Sequence, residues 1–179
     1  RGRPRRTAPV AAPREPARTP GDLLRLAAFT RDPAGGNPAG VWIGRALPPA
    51  TEMPRIAAEV GYSETAFLAP DDEASSGVPG AYRVRYFSPL AEVPFCGHAT
   101  IASGVALAER GAPVDLRLRT NDGIVAVRIE TGADGPEATL TSVATWVTPA
   151  PTALLTGALA LLDWRPDDLE PALPPAVAY

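Results

Sequence analysis

Residues 83–104 read RVRYFSPLAEVPFCGHATIASG, and two periods meet inside them. From Tyr82 to Phe87 the pattern alternates, Tyr82, Val84 and Tyr86 on one face and Arg83 and Arg85 on the other, which is the period of a strand. From His98 to Arg110 it becomes helical, with Ile101, Val105 and Ala108 expected on the inner face and Gly111 as the stop. Phe95-Cys96-Gly97-His98-Ala99-Thr100 therefore opens a helix. Unpaired backbone N–H groups and the positive dipole end make such a position a natural seat for a carboxylate. Gly97 lets a ligand approach the backbone. Cys96 and His98 are both competent to carry a proton, and a helix N-terminus favours a thiolate. Each also has a plainer reading: Cys96 as a small buried filler, His98 as a helix-capping side chain.

Working outward, Leu23 to Phe29 is an apolar-rich run suited to a buried strand. RDPAGGNP (31–38) is dense in turn residues, and Gly40 to Ile43 returns as a strand. Gly35 and Gly36 allow close backbone approach there, and Asn37 offers both donor and acceptor to a ligand; the plainer reading is an ordinary hairpin loop. Thr51 is expected to cap a helix carrying Met53, Ile56, Ala57 and Val60, with Pro54 in its first turn and Gly61 ending it. Thr65 to Leu68 forms a short apolar strand. Ser63 and Glu64 precede it, placing a carboxylate among Tyr62, Ala66 and Phe67, where partial desolvation suits it to proton exchange. A surface Glu in a loop is the alternative.

Beyond the central segment, Leu116 and Leu118 alternate with Arg117 and Arg119. Asn121-Asp122-Gly123 supplies a tight turn, and Val125, Val127 and Ile129 return as the hairpin partner. Ala138 to Val143 adds a further strand. This order predicts an α+β fold with a mainly antiparallel or mixed sheet and no repeated βαβ units. Thr152 to Leu162 reads as a helix and Pro166 to Pro175 as a turn-rich linker or short helix. Ala176-Val177-Ala178-Tyr179 reads as the opening of an apolar strand, from which a truncated reading frame is expected.

The composition removes several function classes. The 179 residues hold one Cys, which excludes a disulfide framework and a cysteine-rich zinc site, and one His, which leaves too few strong ligands for a transition metal, so no metal site is expected. All basic residues are Arg, which excludes a Lys Schiff base or P-loop chemistry. No apolar run approaches the ~20 residues of a membrane helix. Aromatics are 6% of the chain, too few for a base-stacking platform. Residues 1–20 carry six Arg against one Glu, while the remainder holds eleven Arg and nineteen acids. The first stretch, rich in Pro, reads as a disordered basic leader. Its RGRP start resembles an AT-hook core, but one copy of four residues does not carry nucleic-acid binding.

Taken together, AFTRDPAGGNPAGV (28–41), IAAEVGYSETAFL (56–68), RVRYFSPLAEVPFCGHATIASG (83–104) and LRTNDGIVAV (118–127) resemble, in order, the N-terminal half of the phenazine-biosynthesis-like (PhzF-like) isomerase family. The resemblance runs from about Leu23 to Tyr179. It implies a diaminopimelate-epimerase-like fold, in which a mixed β-sheet wraps a central helix and two pseudo-symmetric domains enclose the active site. The expected division is a leader over 1–21, an N-terminal epimerase-like domain over 22–148, and the start of a mostly missing second domain over 149–179.

The resemblance also implies a cofactor-independent isomerase or epimerase that moves a proton at carbon of a small carboxylate-bearing substrate. Glu64 matches the family's proton-shuttling Glu, and Gly97 and His98 match its Gly-His pair, whose His positions substrate and handles protons. Asn37, Ser63, Gly97, Ala99 and Thr100 fall in the matching substrate-binding segments. Cys96 departs from relatives with Ala before Gly-His and resembles the catalytic Cys of related amino-acid epimerases. It is expected either as a thiol acid/base beside Glu64 or as an inert pocket wall. The family's second-half loop of Asp-Pro-Ala-Thr-Gly type does not occur, so little activity is expected of this stretch alone; a non-catalytic half or interaction module is the competing reading. A cytoplasmic location is expected. An apolar face left open by a missing domain would favour a homodimer.

Overall fold

The structure, a computed structural model, describes residues 20–32, 34–71 and 79–178. The Arg/Pro-rich leader up to residue 19, and Tyr179 at the far end, lie outside the described residues.

A mixed eight-stranded sheet forms the body of the protein. Its strands are β1 (Gly21–Ala28), β2 (Asn37–Gly44), β3 (Thr65–Pro70), β4 (Ala81–Phe87), β5 (Glu92–Val93), β6 (Asp115–Arg119), β7 (Ile124–Gly132) and β8 (Gly135–Thr141). The spatial order is β1-β2-β3-β4-β6-β7-β8, with β5 paired onto β4. The β2–β3 and β4–β6 pairs are parallel and the others antiparallel.

The β1–β2 hairpin closes over Phe29 to Gly36. Gly36 has φ 71°, and a Cβ there would stand 2.2 Å from the Ala28 carbonyl oxygen, so glycine is required. β1 was expected to be buried, but only Ala28 among its residues is. It is an edge strand: Leu24 and Leu26 pack half-buried on the core while Leu23 and Arg25 face out.

Helix α1 (Met53–Val60) packs Met53 and Ala57 against Trp42, Phe67 and Phe87, buries Val60 as well, and ends on Gly61 at φ 75°. Thr51 does not cap it. Glu52 holds the N-cap position, and the Glu52 and Met53 amides already donate to the Pro49 carbonyl at 2.8 and 3.3 Å. Pro54 then removes a donor that a capping oxygen would otherwise serve.

The central helix, α2 (Gly97–Ala108), packs against β1, β2, β3, β7 and β8. Its fully buried residues are Ala99, Thr100, Ala102, Ser103, Gly104, Ala106 and Leu107. Ile101, Val105 and Ala108, expected to face inward, are only half-buried. The reason is clearance. The curled sheet comes so close that a Cβ on Gly104 would lie 2.9 Å from Val127 Cγ1 and 3.0 Å from Ala138 Cβ. Small side chains therefore take the enclosed sides of the helix. Ile101 and Val105 occupy the open seam between β1 and β8, where a groove of about 610 Å³ runs between them and Leu26, Phe29, Arg31 and Glu137. Thr100 and Ser103, buried in this tight face, donate their hydroxyls to the carbonyls of Cys96 and Ala99 one turn back.

The C-terminal stretch forms a second, two-stranded sheet. β9 (Val147–Pro149) pairs antiparallel with β10 (Ala176–Ala178), and α3 (Thr152–Leu162) and a 3₁₀ turn at Pro166–Asp168 lie between them in sequence. α3 is largely apolar, yet Leu159 alone among its residues is buried while Leu154, Leu161 and Leu162 are exposed. No helix of the described residues is long and apolar enough to cross a membrane.

Candidate active site

One end of the sheet gathers the chemistry. The parallel β2 and β3 both begin there, the antiparallel β1 and β4 both finish there, and α2 starts there. After α1 ends at Gly61, the chain returns to the sheet through Tyr62 and Ser63. The Glu64 carbonyl accepts a hydrogen bond from the Gly40 amide at 3.1 Å, which pins Glu64 beside β2 one residue before β3 begins. Alternation does the rest. Ala66 and Leu68 point into the core that surrounds α2, so Glu64, at the same parity, points that way too.

The start of α2 is delivered by a tight excursion from β4. Ser88 donates its amide and hydroxyl to the Ala91 carbonyl at 2.9 and 3.1 Å, and β5 folds back so that Val93 lies opposite Tyr86. Arg85 grips Glu92 of this turn with two hydrogen bonds, 2.7 and 2.6 Å. Asn121 adds a third to the same carboxylate at 2.8 Å. These donors hold the Glu92 carboxyl below its ordinary range, Arg85 chiefly, with partial burial pulling the other way. Beneath the helix start, the Tyr86 hydroxyl shares a 2.6 Å hydrogen bond with Thr100 Oγ1.

Three side chains converge on the product of these devices. His98 lies between the other two, its Nδ1 3.3 Å from Cys96 Sγ and its Nε2 3.5 Å from Glu64 Oε2. The last contact is close enough for an ion pair, but its geometry makes no hydrogen bond, and His98 Nε2 is buried without one. The side chains of His98 and Glu64 are 10% and 23% exposed, so the carboxylate is the side open to solvent.

Burial pushes the Cys96 thiol up to about 11, and the negative charge and hydrogen bond of Glu64 push the same way, against the Ala99 and His98 amides. The helix start was expected to favour a thiolate. Desolvation and the adjacent carboxylate outweigh the dipole, and at neutral pH Cys96 is a protonated thiol. A carboxylate, an imidazole and a thiol in mutual contact can pass a proton among themselves and to a reacting carbon.

The remaining expected residues fall around this trio. Gly97, Ala99 and Thr100 form the first turn of α2, and the Thr100 amide is already taken by the Cys96 carbonyl at 3.0 Å. The amides of Gly97 to Ala99 are the ones left for an anion, although Ala99 and His98 also point theirs toward the Cys96 sulfur. Asn37 and Ser63 lie at the same end of the sheet, both exposed. The 610 Å³ groove is not lined by the trio. It lies farther along α2, beginning at Ile101.

Sequence reasoning missed Arg85, Glu92 and Asn121 as the clamp on the turn before Cys96. Arg85 was read only as an outward strand residue. The signal was a carboxylate a few residues past a Ser-Pro turn that sends the chain back along its own strand. Folding brings Glu64, Cys96 and His98 together, with one ligand atom of each within 4.8 Å of the other two.

The family model described as phenazine biosynthesis-like protein matches residues 26–178. A relative from Bacillus subtilis (strain 168), named uncharacterized isomerase YfhB, is 39% identical over 111 residues, 60% of this chain and 36% of that protein. The solved Bacillus anthracis phenazine biosynthesis protein of the PhzF family aligns with TM-score 0.61 and 30% identity over 87% of this chain and 51% of its own. The predicted epimerase PA4716 from Pseudomonas aeruginosa aligns with TM-score 0.70 and 25% identity over 87% and 55%. The chain thus spans about half the length of these two solved relatives and less of the curated one.

Proposed function

The chain belongs to the phenazine biosynthesis-like (PhzC-PhzF) family and has its diaminopimelate-epimerase-like fold, and on that premise we propose that it forms one wall of a cofactor-independent isomerase or epimerase. The reaction moves a proton at a carbon of a small substrate that bears a carboxylate. Glu64 is the general base and, on return of the proton, the general acid. His98, in contact with Glu64, orients the substrate or serves as the second proton-transfer group. The Gly97 amide, with those of His98 and Ala99 that also face the Cys96 sulfur, holds the substrate's carboxylate, where the dipole lowers the energy of an anion.

The observation that carries this reading is the contact of Glu64 with His98 beside an unfilled helix N-terminus. A carbon acid releases its proton more readily when a carboxylate stands over the C–H bond and a cationic end faces the charge that develops. Cys96, protonated at neutral pH, stands beside both groups on the same wall and can act as a proton carrier together with Glu64. The names of the relatives, isomerase and epimerase, agree with a one-proton rearrangement.

The part of the relatives that this chain does not span would supply the opposing wall. One wall alone loses positioning and water exclusion, so turnover is expected from a polypeptide of the relatives' length and little from this stretch. On the same reading the reaction belongs to the cytoplasm, where a lone thiol stays reduced. The test is solvent exchange. A panel of small amino and hydroxy carboxylates is incubated with that longer polypeptide in D₂O, and deuterium at carbon is read by mass spectrometry. Incorporation into one structural class without added cofactor supports the reading, and incorporation that requires a nucleotide or metal defeats it.

A further inference from the structure

We propose that Glu64, Cys96 and His98 together bind one thiophilic divalent cation of the Zn²⁺ class, through a carboxylate oxygen, the sulfur and an imidazole nitrogen. The three side chains close a triangle. The sulfur is 3.3 Å from His98 Nδ1 and Glu64 Oε2 is 3.5 Å from His98 Nε2; these short contacts use different ring nitrogens, and one metal takes only one of them. One ligand atom from each lies within 4.8 Å of the others. Ligands on tetrahedral Zn²⁺ stand about 2.0–2.3 Å from the metal and so roughly 3.3–3.8 Å from one another. With one His98 nitrogen as ligand the three atoms lie within 4.8 Å of one another, and rotations of the His98 ring and the partly exposed Glu64 side chain would bring them onto one ion.

Two further features select the ion. A sulfur–nitrogen–oxygen donor set suits Zn²⁺ or Co²⁺ and disfavours Mg²⁺ and Ca²⁺, which take oxygen ligands. His98 Nε2, on a side chain only 10% exposed, is buried without a hydrogen-bond partner. A nitrogen so placed calls for a group that the described residues do not supply. Three protein ligands leave the fourth corner of a tetrahedron open to solvent on the Glu64 side. A bound cation would engage the lone pairs that the proposed proton transfer needs, so it would act as an inhibitor. That consequence rests on the proposed function; the binding itself does not.

The chain's single Cys and single His make the test unambiguous, provided no affinity tag adds ligands. The full 179-residue chain is titrated with Co²⁺ in the absence of substrate, as a spectroscopic substitute for Zn²⁺. A thiolate-to-cobalt charge-transfer band in the near ultraviolet is expected, saturating at one Co²⁺ per chain and abolished by Zn²⁺. Cys96→Ser removes the band, and His98→Gln keeps it while weakening binding about tenfold or more. Should Cys96→Ser fail to fold by circular dichroism, the His98→Gln titration still decides. Absence of the band in the unmodified chain, or an affinity unmoved by His98→Gln, overturns the proposal. Neither result bears on deuterium incorporation, so loss of the metal site and loss of the isomerase reading are separable.

Discussion

Glu64 Oε2 lies 3.5 Å from His98 Nε2, although one residue precedes a strand of the sheet and the other belongs to the first turn of the helix that the sheet encloses. The contact holds because each backbone is fixed separately: Glu64 by the Gly40 amide, His98 by the turn that Arg85 and Glu92 clamp. His98→Gln keeps a polar side chain of similar reach but removes the second proton carrier. Deuterium exchange is expected to slow about 10²-fold. The fold should stay unchanged by far-ultraviolet circular dichroism. Unaltered exchange in this variant would reduce His98 to a structural residue.

Burial pushes the Cys96 thiol up to about 11, and the Glu64 charge is a further cause. Glu64→Gln removes that charge, so the thiol should ionise at lower pH in this variant. The measurement is thiolate ultraviolet absorbance against pH, with Cys96→Ser subtracted to remove the tyrosines. The same shift links to stability. The native state holds this proton longer than the unfolded chain does, so the contribution is complete below about pH 9 and is lost as pH rises through about 11. Denaturation at stepped pH should show that decline in the unmodified chain and a smaller one in Cys96→Ser.

The Arg85–Glu92 pair holds the turn that delivers Cys96. The Glu92 carboxyl is held below its ordinary range, so its contribution is present above the unfolded carboxylate range and is lost as pH falls through the folded value. Glu92→Gln should raise amide exchange across residues 88–95 more than across β7. If the two segments respond alike, the pair is not a local clamp.

Gly104→Ala tests the wrapped architecture. A Cβ at that position would lie 2.9 Å from Val127 Cγ1 and 3.0 Å from Ala138 Cβ, so β7 and β8 must move outward. Overpacking of this kind costs about 1–3 kcal/mol, which thermal unfolding would show as a fall of several degrees. Gly111→Ala is the control, where the space is open and only the positive φ is strained.

Much of this arrangement was legible in the residues. Alternation located β4, β6 and β7, Asn121-Asp122-Gly123 marked the turn between β6 and β7, and Gly61 marked the end of α1, because local periods depend on neighbours in sequence. Four ordered motifs pointed to Glu64 and His98 before any distance was known. What the sequence hid is non-local. The inner face of α2 looked like Ile101, Val105 and Ala108 because a helix that packs on one side buries its largest residues. Here the sheet closes in from several sides, and the small residues lie inside. The raised Cys96 thiol was equally out of reach, since the helix start argues one way and only the fold brings burial and Glu64 to argue the other.

The central claim is that Glu64 moves the proton, and the direct measurement is deuterium incorporation at substrate carbon by the polypeptide of the relatives' length, with and without Glu64→Gln. The account predicts a loss of about 10²–10⁴-fold with folding intact by circular dichroism. Exchange at an equal rate in the Glu64→Gln protein would contradict it.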